Sequence, residues 1–187
     1  MKNYFKITTR TIVATGLGAA IFLLLFMYVK IPSPIPETSF QTAYGIAAFF
    51  GALFGPIAGG LIAFIGHALS DAVQYGAPWW SWVIASAVAG FVFGFAMNRT
   101  SVEKGKFTGK DILIFNVIQI IGNLIAWIVI APLLDIVIYA EPVNLVFTQG
   151  AVAAGMNIVS AGVIGTLLLI AYSATRTKEG SLKKEDK

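Results

Sequence analysis

A histidine, a carboxylic acid and an amide follow one another at helical spacing in a mostly apolar part of the chain. His67 and Asp71 are four residues apart and Gln74 lies three further on, so on a helix the three share one face. A histidine beside a carboxylate suits acid–base chemistry or the binding of a polar ligand. The alternative is a His–Asp pair that only locks helix packing. Because charged groups in a bilayer more often mark a ligand or ion path, we predict that these residues bind a substrate.

Amides form a second polar stripe farther along the chain. Asn116, Gln119, Asn123 and Trp127 are separated by three, four and four residues, which places them on one side of a helix. Amides both donate and accept hydrogen bonds, so they suit a neutral heterocycle better than a metal or a bare charge.

The last apolar segment repeats this pattern with Gln149, Asn157 and Ser160 on one side. The alternative is hydrogen bonding between helices, worth about 0.6 kcal/mol on average, which suffices for Asn116 and Ser160. A ligand role is predicted for four amides: Gln119, Asn123, Gln149 and Asn157.

Aromatic residues stand beside the polar groups. Trp79, Trp80 and Trp82 are placed where a helix enters the membrane, and an interfacial aromatic belt needs no further function. Consecutive helical positions differ by about 100°, so Trp79 and Trp80 do not both face lipid equally. We predict that Tyr75, Trp79, Trp80 and Trp127 supply rings that stack on a flat ligand, and that Trp82 belongs to the belt.

The composition shows where these groups must be held. The chain has 187 residues, of which 57% are hydrophobic and 12% charged. A helical crossing needs roughly 20 apolar residues, so the chain is predicted to be a multi-pass membrane protein. The absence of cysteine excludes disulfides and thiolate metal sites. No phosphate-binding glycine loop occurs. We expect no cofactor, no metal and, despite the net charge of +4, no nucleic-acid partner.

The predicted fold class is all-α, a bundle of six transmembrane helices. The domain prediction is one membrane domain over residues 1–174 and a polar cytoplasmic tail over residues 175–187. The predicted helices are Thr8 to Val29, Gln41 to Leu53, Pro56 to Tyr75, Trp79 to Asn98, Asp111 to Ala131 and Phe147 to Ser173.

Two local signals set this topology. Thr38 followed by Gln41 has the spacing of a capping box and predicts a helix start there. Gly55-Pro56 predicts a reversal, because proline lacks an amide donor. With that reversal every lysine and arginine except Lys30 lies on one side, so both termini are predicted to be cytoplasmic.

The first helix carries small residues four apart, which let another helix approach closely in lipid. An internal packing role and an intermolecular one are equally compatible with this pattern. The overlapping pairs are Ala14 with Gly18, Thr15 with Ala19 and Gly16 with Ala20.

Taken together, these segments resemble the substrate-binding S components of energy-coupling factor (ECF) vitamin transporters, and most closely a riboflavin-type group. The resemblance covers nearly the whole chain. It is carried by the small-residue pairs of the first helix, the loop Ile31 to Pro36, Phe54-Gly55-Pro56-Ile57-Ala58-Gly59, Ile65-Gly66-His67-Ala68-Leu69-Ser70-Asp71 and Trp79-Trp80-Ser81-Trp82.

The resemblance implies a subunit, not an enzyme, that binds a vitamin or precursor in a pocket of outer loops and outer helix halves. Riboflavin, a hydroxymethylpyrimidine or pyridoxine-like ring, and cobalamin all stay open as ligands. It also implies the bacterial cytoplasmic membrane as the location, and a transmembrane coupling protein and two ATPases as partners. That protein would meet the first helix at Ala14 and Gly18, with Thr15 and Ala19 beside them.

Two other classes of function remain as alternatives to a substrate-binding subunit. One is a stand-alone secondary transporter in which Asp71 carries the proton, against which the lack of a repeated half argues mildly. The other is a membrane enzyme that uses His67 and Asp71 for acid–base work.

Overall fold

The computed structural model describes residues 4–176, so most of the predicted tail, from residue 177 on, lies outside the described part. Within the described residues there are seven α-helices and one short hairpin. Their bounds are α1 Thr9–Tyr28, β1 Lys30–Pro32, β2 Ser39–Gln41, α2 Ala43–Phe54, α3 Pro56–Tyr75, α4 Trp80–Phe93, α5 Gly109–Leu124, α6 Ala131–Tyr139 and α7 Val143–Ala174.

The helices run alternately between two ends of a bundle, and α5 and α6 form one continuous rod. At one end Glu103 lies 3.7 Å from both Arg10 and Arg176, which joins α1, the loop before α5 and α7. We call this the basic end. The opposite end, here the hairpin end, holds β1 and β2, the end of α3 and the starts of α4 and α7.

The lengths of the helices fit a membrane protein. Among residues 4–176, four helical segments are long and apolar enough to cross a membrane: Thr9–Tyr28, Pro56–Tyr75, Gly109–Tyr139 and Val143–Ala174. Two shorter apolar segments, Ala43–Phe54 and Trp80–Ala96, lie between them. At about 1.5 Å per residue, α2 spans about 18 Å, so its ends need cover from neighbouring elements.

The hairpin corrects the predicted helix start at Thr38 and adds two short strands to a mostly helical fold. Gln41 pairs with Lys30 in an antiparallel ladder, and helix α2 begins only at Ala43. The Thr38 hydroxyl donates to the Pro36 carbonyl at 3.1 Å instead of capping a helix. The prolines before it exclude a regular helix, and the chain bends and turns here, with Glu37 at φ 55°.

The predicted end of the fifth helix at Ala131 is also wrong. Helix α5 continues through a π-helical turn, Ile125–Ile130, into α6, which ends at Tyr139. Pro132 lacks the N–H that a regular helix requires there, and a widened turn before it accommodates this without ending the helix. The last helix then starts at Val143, earlier than the predicted Phe147.

Glycine lets α3 and α4 pack closely. A Cβ atom added to Gly59 would collide with the backbone carbonyl of Gly90, and one added to Gly90 would collide with that of Gly59. Gly55 turns the chain between α2 and α3 at φ 93°, and Pro56 begins α3. The predicted reversal at Gly55-Pro56 is therefore confirmed.

Candidate functional site

Three helices contribute to a buried polar chain around His67. The Ser86 hydroxyl on α4 lies 2.7 Å from the Tyr44 hydroxyl on α2 and 2.7 Å from His67 Nδ1 on α3. On the other side of the ring, His67 Nε2 is 3.5 Å from Asp71 Oδ1. All four side chains are buried.

One set of hydrogen positions satisfies the whole chain. If Tyr44 donates to Ser86, the serine hydroxyl donates to Nδ1 of His67. The remaining imidazole proton then sits on Nε2 and points to Asp71. The Phe26 ring packs over the imidazole at 4.3 Å between ring centres. The predicted His67–Asp71 pair therefore exists, and Tyr44 and Ser86 orient it.

Asp71 and Gln74 tie α3 to the neighbouring elements at the hairpin end. Asp71 Oδ2 accepts the backbone N–H of Trp79 at 3.0 Å, just before α4 begins. Gln74 donates to the Ser70 hydroxyl at 2.7 Å and accepts from Lys30 Nζ at 2.9 Å. The hydrogen-bonding groups of both predicted ligand residues are thus largely occupied by protein partners.

Asp135 on α6 is a polar centre that the sequence analysis missed. Its carboxylate accepts the indole N–H groups of Trp79 and Trp82, each at 2.7 Å, and the hydroxyl of Ser81. The side chain is only 2% exposed. Its signal in the sequence is a lone acid in the apolar stretch after Pro132, which the prediction treated as a loop.

Tyr139 completes this contact one helical turn later. Its ring stacks on Trp79 with 3.9 Å between ring centres, and its hydroxyl accepts the backbone N–H of Trp80 at 3.0 Å. Asp135 and Tyr139 therefore hold the start of α4 from one face of α6. The Trp80 ring points elsewhere, against Phe64, and Tyr75 is exposed.

Trp82 is the tryptophan that turns inward, which differs from its predicted place in the belt. Its indole packs against Trp127 with 5.2 Å between ring centres. Trp127 in turn lies 5.6 Å from the Tyr44 ring, edge to face. These aromatic contacts join the Asp135 cluster to the polar chain around His67.

The predicted amide stripe is a continuous hydrogen-bonded ladder. Asn123 donates to the Gln119 side chain at 3.0 Å and accepts from Trp127 Nε1 at 3.2 Å. Gln119 also donates to the Ile158 carbonyl of α7 at 3.2 Å. Asn116 donates to Thr166 on α7 at 3.1 Å, as the packing alternative requires. The ladder therefore fastens α5 to α7.

The hairpin lies along the polar side of α7, and we call this contact the hairpin–α7 seam. Gln149 Nε2 donates to the Pro36 carbonyl at 3.0 Å, and the Ser160 hydroxyl donates to the Gln41 carbonyl at 2.6 Å. On this seam, two buried side-chain oxygens have no hydrogen-bond partner: Gln41 Oε1 and Asn157 Oδ1.

The small-residue pairs predicted to meet a coupling protein face the chain's own bundle. Ala14, Thr15, Gly18 and Ala19 are all buried. A Cβ atom on Gly18 would lie 2.6 Å from Cδ1 of Ile62 on α3. The third pair, Gly16 and Ala20, is exposed.

Two surface grooves lie away from the predicted ligand residues. The first, of about 540 Å³, runs beside the start of α7 and is lined by Val143, Asn144, Phe147, Thr148, Ala151 and Val152. The second, of about 340 Å³, is lined by Thr9, Arg10, Val13, Ala14, Leu17, Phe50 and Phe54. Within residues 4–176, no three acidic or histidine side chains are grouped as metal binding would require.

Comparison with known proteins agrees with this architecture. The family model for the ECF-type riboflavin transporter S component matches residues 6–174. The UPF0397 protein of Exiguobacterium sp. (strain ATCC BAA-1283 / AT1b) is 57% identical over 95% of this chain and 97% of its own length. The UPF0397 protein of Streptococcus gordonii is 53% identical, over 99% of this chain and all of its own.

A solved structure shares the fold. The crystal structure of FolT bound with folic acid has a TM-score of 0.60 and 11% sequence identity, and the match covers 85% of this chain and 94% of FolT. The family model confirms the resemblance to S components, and with it a role in membrane transport, not catalysis. This multi-pass membrane protein belongs to the family of ECF-type riboflavin transporter S components.

Proposed function

We propose that this chain captures a vitamin or vitamin precursor, in the form of a flat polar heterocycle, from outside the cell. It then hands the ligand over for ATP-driven uptake, together with a transmembrane coupling protein and two ATPase subunits. The membrane is the bacterial cytoplasmic membrane, with the basic end inside and the hairpin end outside.

The observation that carries this proposal is the hairpin–α7 seam. A folded loop at the hairpin end covers the amide-bearing face of α7 and is fixed there by Gln149 and Ser160. A loop lying over polar residues can cover a ligand and later release it. FolT, whose fold is similar, is bound with folic acid in its crystal structure.

The predicted ligand residues take different parts in this proposal. Gln149 and Asn157 contact the ligand on the seam. Asn123, Gln119 and Trp127 form its floor, which their mutual hydrogen bonds keep rigid, and the Trp127 ring packs against Trp82 of α4. His67, Asp71, Gln74 and Trp79 hold α3, α4 and the hairpin in register, since their polar atoms are already paired. Trp80 and Tyr75 lie at the rim.

The proposed orientation of the protein in the membrane is based on the positions of its lysine and arginine residues. The loop between α4 and α5 carries Arg99, Lys104 and Lys106, Lys110 lies in the first turn of α5, and Arg10 and Arg176 lie at the same end. Cytoplasmic loops carry an excess of such residues. Lys30 is the basic residue of the hairpin.

Native mass spectrometry of the protein purified from rich medium tests the binding role. We expect a co-purified small molecule, and a rise in the unfolding temperature when the matching vitamin is added. A protein that is repeatedly empty and is stabilised by no vitamin would contradict the proposal.

Reconstituted vesicles separate the subunit from a stand-alone carrier. With this chain alone we expect binding without accumulation, and with the coupling protein and ATPases we expect ATP-dependent uptake. Accumulation driven by an ion gradient without those partners would establish the secondary transporter instead.

A further inference from the structure

Two carbonyl oxygens of side chains are left without a hydrogen bond in the hairpin–α7 seam. They are Oε1 of Gln41, at the end of β2, and Oδ1 of Asn157, in the middle of α7. The two side chains are 8% and 2% exposed. Buried polar groups in native proteins are nearly always paired, so two such atoms on one seam need a cause.

The backbone places these two residues beside each other. The Ser160 hydroxyl is bonded to the backbone carbonyl of Gln41 at 2.6 Å. Asn157 precedes Ser160 by three residues, so it lies on the same face of α7 about one turn nearer the hairpin end. Gln149 reaches Pro36 two further turns along. Asn157 therefore lies between the two points at which the hairpin is fastened.

The polar atoms that hold the seam together are already used. Gln149 Nε2 and the Ser160 hydroxyl both donate to hairpin carbonyls. The unpaired atoms are both acceptors. A molecule that completed this site would have to bring hydrogen-bond donors, whereas a carboxylate or phosphate would place negative charge against two carbonyl oxygens.

We propose that the ligand of this protein presents N–H donors to Gln41 Oε1 and Asn157 Oδ1, and that these two residues select for an amino-substituted heterocycle over its oxo analogue. This inference rests on the proposed function, because it specifies the substrate class of the same site. Gln41, which the sequence analysis placed in a helix, becomes a specificity-determining residue.

Two pyrimidines that differ at one position test this. The probes are 4-amino-5-hydroxymethyl-2-methylpyrimidine and the analogue with an oxo group at position 4. The exchange replaces the two amino donors by an acceptor at position 4 and leaves one N–H, which moves to ring nitrogen N3, while the substituents and size stay nearly the same. Titration calorimetry with the purified full chain in detergent is expected to show at least about tenfold tighter binding of the amino compound, because the wrong analogue leaves buried groups unpaired.

Variants at Asn157 test whether its side-chain amide accepts a hydrogen bond from the ligand or donates one to it. Asn157→Leu is expected to weaken binding of the amino compound at least about tenfold and to keep or raise the unfolding temperature of the ligand-free protein, since it removes a buried unpaired group. Asn157→Asp keeps the acceptor and is expected to retain binding. Gln41→Leu and Gln41→Glu form a second pair with the same expectations. Asn144→Leu, an exposed asparagine on the same helix, is the matched control and should change neither quantity.

The outcomes distinguish this inference from the proposed function. The protein could bind riboflavin or another vitamin but neither pyrimidine, or bind both pyrimidines equally. Either result would show that the proposed preference for N–H donors is wrong, while the proposed vitamin-binding function would still hold. Asn157→Asp and Gln41→Glu could also lose binding as completely as the leucine variants do. That result would mean that the two amides donate hydrogen bonds to the ligand, which would also contradict the proposed preference for N–H donors. Absence of binding to any vitamin would overturn both proposals.

Discussion

Trp79 donates its indole N–H to Asp135 across 56 positions of the sequence, with 2.7 Å between Nε1 and Oδ1. Its backbone N–H donates to Asp71 at 3.0 Å. One residue therefore connects the carboxylates of α3 and α6 at the point where α4 begins. Since α4 is one of the two short apolar helices, its start at the hairpin end depends on neighbours from both sides.

The first prediction concerns Asp135. Asp135→Leu leaves the indole groups of Trp79 and Trp82 and the hydroxyl of Ser81 without their acceptor. The expected loss of unfolding free energy is about 3 kcal/mol, because unpaired buried donors cost more than the bond itself contributes. Thermal unfolding in detergent, followed by tryptophan fluorescence, measures it.

Asp135→Asn is the control for this prediction. The amide keeps one acceptor oxygen of the same shape, so it should lose clearly less stability than the leucine variant. Equal stability of wild type and Asp135→Leu would show that the carboxylate is not what holds α4.

A second prediction concerns Ser86, which bridges Tyr44 and His67. Ser86→Ala leaves two buried partners unpaired and is expected to cost about 2 kcal/mol of unfolding free energy. Tyr44→Phe removes one end and leaves the serine bonded to His67. The double variant should cost about 1 kcal/mol less than the sum of the two, because the tyrosine hydroxyl is no longer left without a partner. Strict additivity would mean that the buried chain is not cooperative.

Local residue chemistry was enough for much of the fold. Gly55-Pro56 predicted the turn between α2 and α3, since a left-handed φ and a proline at the helix start agree there. The same kind of argument failed at Pro132. A proline inside a helix is tolerated when a π-helical turn and neighbouring helices accommodate it, and that depends on tertiary packing that spacing rules do not contain.

The candidate site shows the same limit. Helical spacing correctly placed His67 beside Asp71, and Asn123 between Gln119 and Trp127. The spacing of residues along one helix does not show which of its polar atoms form hydrogen bonds to other helices or strands. Asp135 was missed because its three donors come from another helix, and Gln41 because a hairpin replaces the predicted helix start.

A third prediction contrasts a surface ion cluster with the buried carboxylate. Glu103 lies 3.7 Å from Arg10 and from Arg176 at the basic end, and both arginines are substantially exposed. Exposed ion pairs contribute little, so Glu103→Gln is expected to cost less than about 1 kcal/mol of unfolding free energy, and less still at high salt. A loss as large as that of Asp135→Leu would contradict this ranking.

The last prediction concerns which face of α1 meets a partner. Gly18→Leu would drive its side chain into Ile62 and is expected to unfold or weaken the bundle, so loss of a complex in that variant would not identify an interface. Gly16 has no atom within 4 Å of an added Cβ and is exposed, so Gly16→Leu should fold normally and bind ligand with wild-type affinity. If the coupling protein packs on this face, the bulky side chain holds the helices apart, and co-purification with the coupling protein falls while ligand binding persists.

Val13→Leu, an exposed conservative change on the same helix, is the control. An intact complex in Gly16→Leu and in Ala20→Leu would place the partner surface elsewhere on the bundle.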